Sequence, residues 1–405
     1  MIATYLKNQY LAAVKKGSDK RTKGKEKQKK NVISKEAAKD DGGAPCKETK
    51  DEKTKQQRKA SSEAPQNQPN RDKGGEVAPG DAQQSKPAKG AEVVAKWVMR
   101  ALDMGVEALR AEYRSLARYT MPDVTYEAFK SNHEAGRNRY QDVPCQDQHR
   151  VVIKWPGAPC DYIHANYVGT PISDKRFICT QGPLDGTIPE FWMMVLQEES
   201  ETIIMLCNCI ETGKFKCAEY WPNQVGMSKA YSGIEITNVQ MRPMSPEEQS
   251  VIVSVLFIKF KKPDGTMEQR EVRHYQWQDW PDRGVPPCRL TTMELLSRVR
   301  GTTKPIIVHC SAGIGRTGTI VAVEYILERM QAGKECAAMN DLLMELRNQR
   351  AYTIQNELQY LFIHRVMLCY FLEKHKRRYE SILTEQNQAK YRKFVEDYNI
   401  VTGTS

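Results

Sequence analysis

A cysteine and an arginine enclose five small or apolar residues in Cys310-Ser311-Ala312-Gly313-Ile314-Gly315-Arg316, and this spacing suggests chemistry more directly than any other in the sequence. The run before it, Ile306-Ile307-Val308-His309, reads as a buried strand, and a helical pattern opens near Arg316. A tight loop between a strand and a helix turns successive backbone N–H groups toward its centre. Gly313 and Gly315 permit the dihedrals such a loop needs, so an anion nest backed by a helix N-terminus is expected. Among aligned N–H dipoles the Cys310 thiol is favoured as thiolate, which makes it a nucleophile. Arg316 can supply two parallel N–H bonds to a bound phosphate, which a lysine cannot. The Cys-x5-Arg pattern alone arises by chance, but here three glycines, an upstream strand and a downstream helix fall in register with it.

The elements that must hold this loop are legible as patterns. From about Ala91, residues Val93, Val94, Trp97, Val98, Leu102, Val106 and Leu109 recur at helical intervals. Strand-like runs follow at Val151 to Lys154, Tyr162 to Val168, Phe177 to Thr180, Thr202 to Cys207, Gly233 to Met241, Ser250 to Phe260 and Glu271 to Trp277. The last two flank Lys262-Pro263-Asp264-Gly265, a turn signal that predicts a hairpin. Beyond Cys310 the pattern is helical, through Leu342 to Arg350 and Glu357 to Phe371. The expected fold class is α/β (α+β): one domain with a twisted mixed sheet flanked by helices and a strand-loop-helix phosphate cradle.

Residues 1–90 carry 22 Lys and Arg against 12 Asp and Glu, which is +10 of the chain's net +11, and the remaining 39 basic and 38 acidic residues nearly cancel. The stretch from about 15 to 90 has no aromatic residue and cannot bury enough apolar surface to offset its ordering entropy. The expected organisation is therefore a disordered basic tail over 1–90, a catalytic domain over 91–375 and a C-terminal helical extension over 376–405. Ile2, Leu6, Tyr10 and Val14 hint at a short amphipathic helix beside the basic run from Arg21 to Lys30. Charge confined to the tail points to an anionic membrane surface or an acidic partner there, and gives the folded part no reason to bind nucleic acid specifically. No apolar run is long enough for a signal or a membrane span. Eleven cysteines at irregular spacings then suggest free thiols in a cytoplasmic setting, with a nuclear or membrane-surface address through the tail as alternatives. Cys207 and Cys209 lack a matching second pair, so a zinc site is not expected.

The stretch Val308-His309-Cys310-Ser311-Ala312-Gly313-Ile314-Gly315-Arg316-Thr317-Gly318 resembles the signature of the tyrosine-specific, non-receptor protein tyrosine phosphatases. Further motifs follow in that family's order: Asn138-Arg139-Tyr140, Asp161-Tyr162-Ile163, Thr180-Gln181-Gly182-Pro183-Leu184, Phe191-Trp192, Lys216-Cys217-Ala218-Glu219-Tyr220-Trp221-Pro222, Trp280-Pro281-Asp282 and the segment around Gln355. The resemblance covers about residues 110 to 370. It implies hydrolysis of phosphotyrosine in proteins through a cysteinyl-phosphate, without cofactor or metal. Cys310 would be the nucleophile, Arg316 the phosphate clamp, Asp282 the general acid and Gln355 the water-positioning residue, with His309 and Thr317 beside the reacting sulfur and the Thr317 hydroxyl able to hydrogen-bond it. Ser311, Ala312, Gly313, Ile314 and Gly315 would cradle the phosphate with Gln359 as a second contributor. Tyr140 would stack on the substrate ring, and Asp142 would hold the peptide backbone. Glu211, Lys216 and Trp280 would support Arg316 and the acid loop.

Three departures stand out. His164 and Asn166 replace residues of the usual Asp-Tyr-Ile-Asn-Ala-Ser, Leu196 stands where tryptophan is common, and Arg283 follows the acid. A silent phosphotyrosine-binding module would have lost Cys310 or Asp282, and both are present. Dual-specificity and phosphoinositide phosphatases share Cys-x5-Arg but lack the Asn-Arg-Tyr and Lys-Cys-Ala-x-Tyr-Trp-Pro elements.

Overall fold

A computed structural model of the chain describes residues 86–262 and 264–404. The expected amphipathic segment at Ile2 to Val14, the basic run and nearly all of the expected tail lie outside the described residues. The first helix, α1 (Lys86–Ser115), starts five residues before the expected boundary, because Pro87 is tolerated in a first turn. It buries Val93, Val94, Trp97, Val98, Leu102, Val106, Leu109 and Tyr113, and Gly105 interrupts it with a φ of 66°.

Eleven strands follow: β1 (Arg150–Val152), β2 (Tyr162–Val168), β3 (Phe177–Thr180), β4 (Thr202–Met205), β5 (Ile210–Glu211), β6 (Lys214–Phe215), β7 (Ser228–Tyr231), β8 (Ile234–Pro243), β9 (Val251–Lys261), β10 (Met267–Trp277) and β11 (Ile306–His309). Nine of them form one sheet in the order β1-β2-β3-β11-β4-β10-β9-β8-β7, and β5 pairs with β6 in a separate hairpin. The four central strands β3, β11, β4 and β10 run parallel, and the flanking pairs are antiparallel. The expected hairpin is β9 with β10, in register from Val251↔Trp277 to Lys261↔Met267. The strand expected to reach Cys207 stops at Met205, and β7 falls where no strand was expected.

The period-two alternation of strand side chains divides the core between the two faces. Ile306 and Val308 of β11 join α1, α3 (Thr291–Val299), α4 (Arg316–Gln331), α5 (Met339–Gln349) and α6 (Glu357–Cys369) in one cluster. Ile307 joins the opposite cluster with α2 (Ile188–Gln197), whose residues from Phe191 to Leu196 are all buried. Helix α4 is enclosed on nearly all sides, so its N-terminus, where the cradle ends, is anchored by the core. The last helix, α7 (Glu385–Thr402), docks on α1, with Lys390 paired to Asp103 at 2.5 Å and Asn387 bonded to the Met99 sulfur.

Candidate active site

The loop from Cys310 to Gly315 leaves the C-terminal end of β11 and enters α4 at Arg316, at the end of a parallel strand group where α/β sheets bind ligands. Gly313 has a φ of +72°, and a Cβ there would lie 2.1 Å from the Thr180 carbonyl oxygen, so no side chain fits. A Cβ on Gly315 would press within 3.0 Å of the Gln355 and Gln359 side chains. The Gly313 N–H donates to Cys310 Sγ at 3.2 Å, which shows the nest turned toward the sulfur.

The Ala312 and Gly313 carbonyls of this loop point away from the nest, and one buried side chain holds both there. Arg350 donates from Nε to the Gly313 oxygen at 3.1 Å and from Nη2 to the Ala312 oxygen at 3.2 Å. Its remaining contacts go to Asn166 Oδ1 at 2.8 Å and His164 Nδ1 at 3.2 Å. Burial and the Arg350 charge push the His164 pKa down to about 3, so the ring is neutral. A neutral ring accepting at Nδ1 carries its proton on Nε2, which donates to the Val143 oxygen at 2.9 Å. The two departures at positions 164 and 166 therefore share one function, which is to satisfy a buried guanidinium that has no carboxylate partner among the described residues. Arg350 was not expected from sequence. The available signal was the pair of departures two residues apart on β2, which face the same way.

Arg316 is 2% exposed and points into the loop's mouth. Its guanidinium meets Glu211 in a two-pronged pair at 2.6 and 2.9 Å, the Trp280 oxygen at 3.0 Å and Asp282 Oδ1 at 3.3 Å. Burial works against this charge, and the Glu211 hydrogen bonds and nearby negative groups outweigh it, so its pKa is raised. Asp282 Oδ2 accepts from Lys216 Nζ at 2.6 Å. Burial raises the Asp282 pKa, but the Lys216 bond and the charges of Arg316, Lys216 and Arg283 more than offset it, leaving the carboxyl below its ordinary value.

A cavity of about 300 Å³ opens above Cys310. Of the expected residues, Tyr140, Asp142, Lys216, Asp282, Ser311, Ala312, Arg316, Gln355 and Gln359 line it together with Cys310. Glu211 and Trp280 contact Arg316 from behind. Ser311 Oγ donates to the Lys216 carbonyl at 3.0 Å, so Tyr140 O–H donates to Ser311 Oγ at 2.7 Å and is tied to the cradle as a wall. Val143, Lys214, Phe215 and Arg283 also line the mouth, and the sequence did not mark the first three. Thr317 Oγ1 is buried without a partner among the described residues, so its hydroxyl is available, and here the sulfur is met by the Gly313 N–H. A larger cavity, about 710 Å³, lies at the N-terminal ends of β4 and β11, and neither a cysteine nor a histidine lines it.

Beneath the loop, Tyr220 O–H bridges His309 Nε2 at 2.7 Å and His274 Nε2 at 2.8 Å, while His309 Nδ1 meets the Cys310 oxygen at 3.2 Å. Only one arrangement of a neutral His309 gives each contact one donor: Nδ1–H to Cys310, Tyr220 O–H to His309, and His274 Nε2–H to Tyr220. His309 thus pins the Cys310 backbone. Cys207 lies near Cys217 and His309, with their ligand atoms within 4.8 Å, and not in a pair with Cys209.

A family model described as protein-tyrosine phosphatase matches residues 134–369. The chain is 36% identical over 267 residues to the tyrosine-protein phosphatase Lar-like of Caenorhabditis elegans, covering 64% of this chain and 12% of that one. It is 34% identical over 267 residues to mouse receptor-type tyrosine-protein phosphatase C, covering 64% and 20% respectively. The chain thus spans no more than a fifth of these curated relatives. Among solved structures, the catalytic domain of human protein tyrosine phosphatase non-receptor type 18 superposes with a TM-score of 0.59 at 28% identity, over 69% of this chain and 99% of that one. The match spans more than half of the chain and contains the whole strand-loop-helix cradle with its arginine, and on that ground the chain belongs to the protein-tyrosine phosphatase family.

Proposed function

We propose that this chain hydrolyses phosphotyrosine in proteins through a cysteinyl-phosphate, with Cys310 as nucleophile. The observation that carries the reading is the convergence of Cys310, the Glu211-oriented Arg316 and Asp282 on one cavity. The backbone N–H groups and Arg316 hold the phosphate oxygens. Cys310 Sγ attacks phosphorus in line, the S–P bond forms, and the P–O bond to tyrosine breaks as Asp282 gives its proton to the departing oxygen. In the second step Gln355 orients a water, Asp282 takes its proton back, the water oxygen bonds to phosphorus, and the S–P electrons return to Cys310. His309 holds the Cys310 backbone throughout. The depth set by Tyr140 and Lys216 favours an aryl phosphate, whose phosphorus lies further from the peptide backbone than that of phosphoserine, and Asp142 at the mouth is placed to hold the peptide. Complexes of non-receptor type 18 with HER2 phosphopeptides give the same substrate class for that relative. Turnover of matched phosphotyrosine and phosphoserine peptides by the full chain tests the reading: comparable rates on both would overturn it.

We assign catalysis to residues 91–375, with 376–405 as a helical extension and 1–90 as a charged tail that directs the enzyme in the cytoplasm toward an anionic membrane surface or acidic partner. The concentration of charge in the tail supports this. Imaging the tail fused to a fluorescent protein distinguishes membrane from nuclear placement, and a uniform signal removes the targeting role.

A further inference from the structure

Gln355 sits in a segment whose backbone is unusual. Tyr352 and Ile354 both occupy the left-handed region, at φ 59° and 63°, which non-glycine residues adopt only when their surroundings enforce it. On one side, the Ile354 N–H donates to the Ile314 oxygen of the cradle at 2.9 Å, and Gly318 of α4 leaves room for that approach. On the other side stands the C-terminal part of α1. Tyr113 O–H donates to the Ile354 oxygen at 2.9 Å. Two residues beyond Gln355, the Glu357 carboxylate is gripped by Arg110 at 2.6 and 3.0 Å and by Arg114 at 2.6 and 3.1 Å. These contacts join residues more than 240 positions apart, and none of the three α1 side chains lines the cavity.

We propose that Arg110, Tyr113 and Arg114 of α1 are positioning residues for Gln355, and that they set the rate at which water hydrolyses the cysteinyl-phosphate without touching substrate. The inference rests on the reading of Gln355 as the water-positioning residue. The geometry is specific to that step. The clamp holds the carbonyl just before Gln355 and the first turn of α6 just after it, while Cys310 is fixed from elsewhere, by His309, and the Ala312 and Gly313 carbonyls of its loop by Arg350, leaving only the Ile314 carbonyl of the cradle bonded to the clamped segment. Glu357 is held ionised by its hydrogen bond to Arg114, and that to Arg110 adds to the effect, while burial opposes it. A displacement of Gln355 by a fraction of an ångström would leave formation of the intermediate intact and misplace the water.

The test uses the full chain and 4-nitrophenyl phosphate in rapid-quench experiments that follow nitrophenol release and phosphate bound to protein. In the Arg110→Gln/Arg114→Gln double variant, kcat should fall about tenfold while kcat/KM stays within about twofold, with more phosphoenzyme trapped at steady state. A purely structural role would lower kcat and kcat/KM together, or lower the melting temperature with no rise in phosphoenzyme, and either result overturns the proposal. Tyr113→Phe removes only a hydroxyl, with its bond to the Ile354 oxygen and the one it accepts from Arg347, while Arg347 still holds that oxygen at 3.1 Å, so it should show the same signature at smaller amplitude even if the double variant does not fold; unchanged phosphoenzyme in it also counts against the clamp. Gln355→Ala serves as the reference. If it accumulates phosphoenzyme and the α1 variants do not, the clamp is wrong; if it does not, the reading of Gln355 fails and the inference with it.

Discussion

The two halves of the cavity are held in different ways. The cradle half is built from main chain: Gly313 has no room for a side chain, Arg350 locks the outer carbonyls, and His309 ties down the Cys310 backbone. The acid half is built from ionisable contacts at the surface, with the Asp282 side chain 32% exposed and held by Lys216 and Arg316, and Arg283 beside it in the left-handed region at φ 59°. Main-chain donors cannot titrate and move only with the core behind them, so they suit a charge that is always present. Ion pairs in partial contact with solvent can be exchanged, which suits a group that must give up and regain a proton.

If this division is right, removing the nucleophile leaves binding untouched. Cys310→Ser should lower turnover by about 10⁵-fold or more, while a phosphotyrosine peptide still binds in a calorimetric titration, because the N–H nest and Arg316 remain. Loss of binding together with turnover would mean that the sulfur is part of the anion site. The acid half should behave in proportion to chemical need. Asp282→Ala is expected to reduce kcat on a phosphotyrosine peptide by about 10² to 10⁴, and by much less on an aryl phosphate with an acidic phenol. Equal losses on both substrates would place the proton donor elsewhere.

Arg316 belongs to both halves, and Glu211→Gln separates them. With the two-pronged partner weakened, kcat/KM should fall about 10- to 100-fold, and the affinity for the competitive inhibitor vanadate should fall in parallel. A loss of kcat with vanadate affinity intact would put Glu211 with the acid loop. The smallest effects concern the core beneath the cradle, and they appear in stability. Burial lowers the pKa values of His164 and His274 to about 3 and of His364 to about 4. A depressed folded-state value means that the unfolded chain binds the extra proton. Stability is therefore complete above the unfolded pKa near 6.5 and declines as the pH falls toward the folded values, by up to about 1.4 kcal/mol per pH unit for each histidine. Denaturation midpoints between pH 7 and 4.5 measure the slope, and His274→Asn should flatten it; an unchanged slope would show that His274 does not stay neutral.

How legible the site was depended on how far apart its parts lie in the chain. Cys310 to Arg316 could be read because seven consecutive residues contain nucleophile, turn and clamp together. Asp282 and Gln355 needed the family resemblance, since an aspartate after a proline reads locally as a turn. Arg350 meets His164 and Asn166 only in space, as Glu357 meets Arg110 and Arg114, so no local pattern joins the far partner to the near pair in either unit. Among the elements, α2 escaped periodicity analysis because it is buried on nearly every side and has no polar face to mark its turns. Strand β7 escaped because it is a short edge strand with half of its side chains in solvent.

The sharing of Arg316 has a consequence in proton counting. In the free chain its guanidinium helps to keep Asp282 ionised, and the phosphate must draw on the same guanidinium. On the proposed mechanism a productive complex with a phosphate dianion needs Asp282 protonated, so it contains one more proton than the separated partners. Above the pKa of free Asp282, and while the ester is a dianion, the dissociation constant should then rise about tenfold per pH unit. The heat of binding should also vary with the ionisation enthalpy of the buffer by the amount for one proton. Within that window affinity would thus rise as the solution acidifies, without a histidine at the site acting as the sensor.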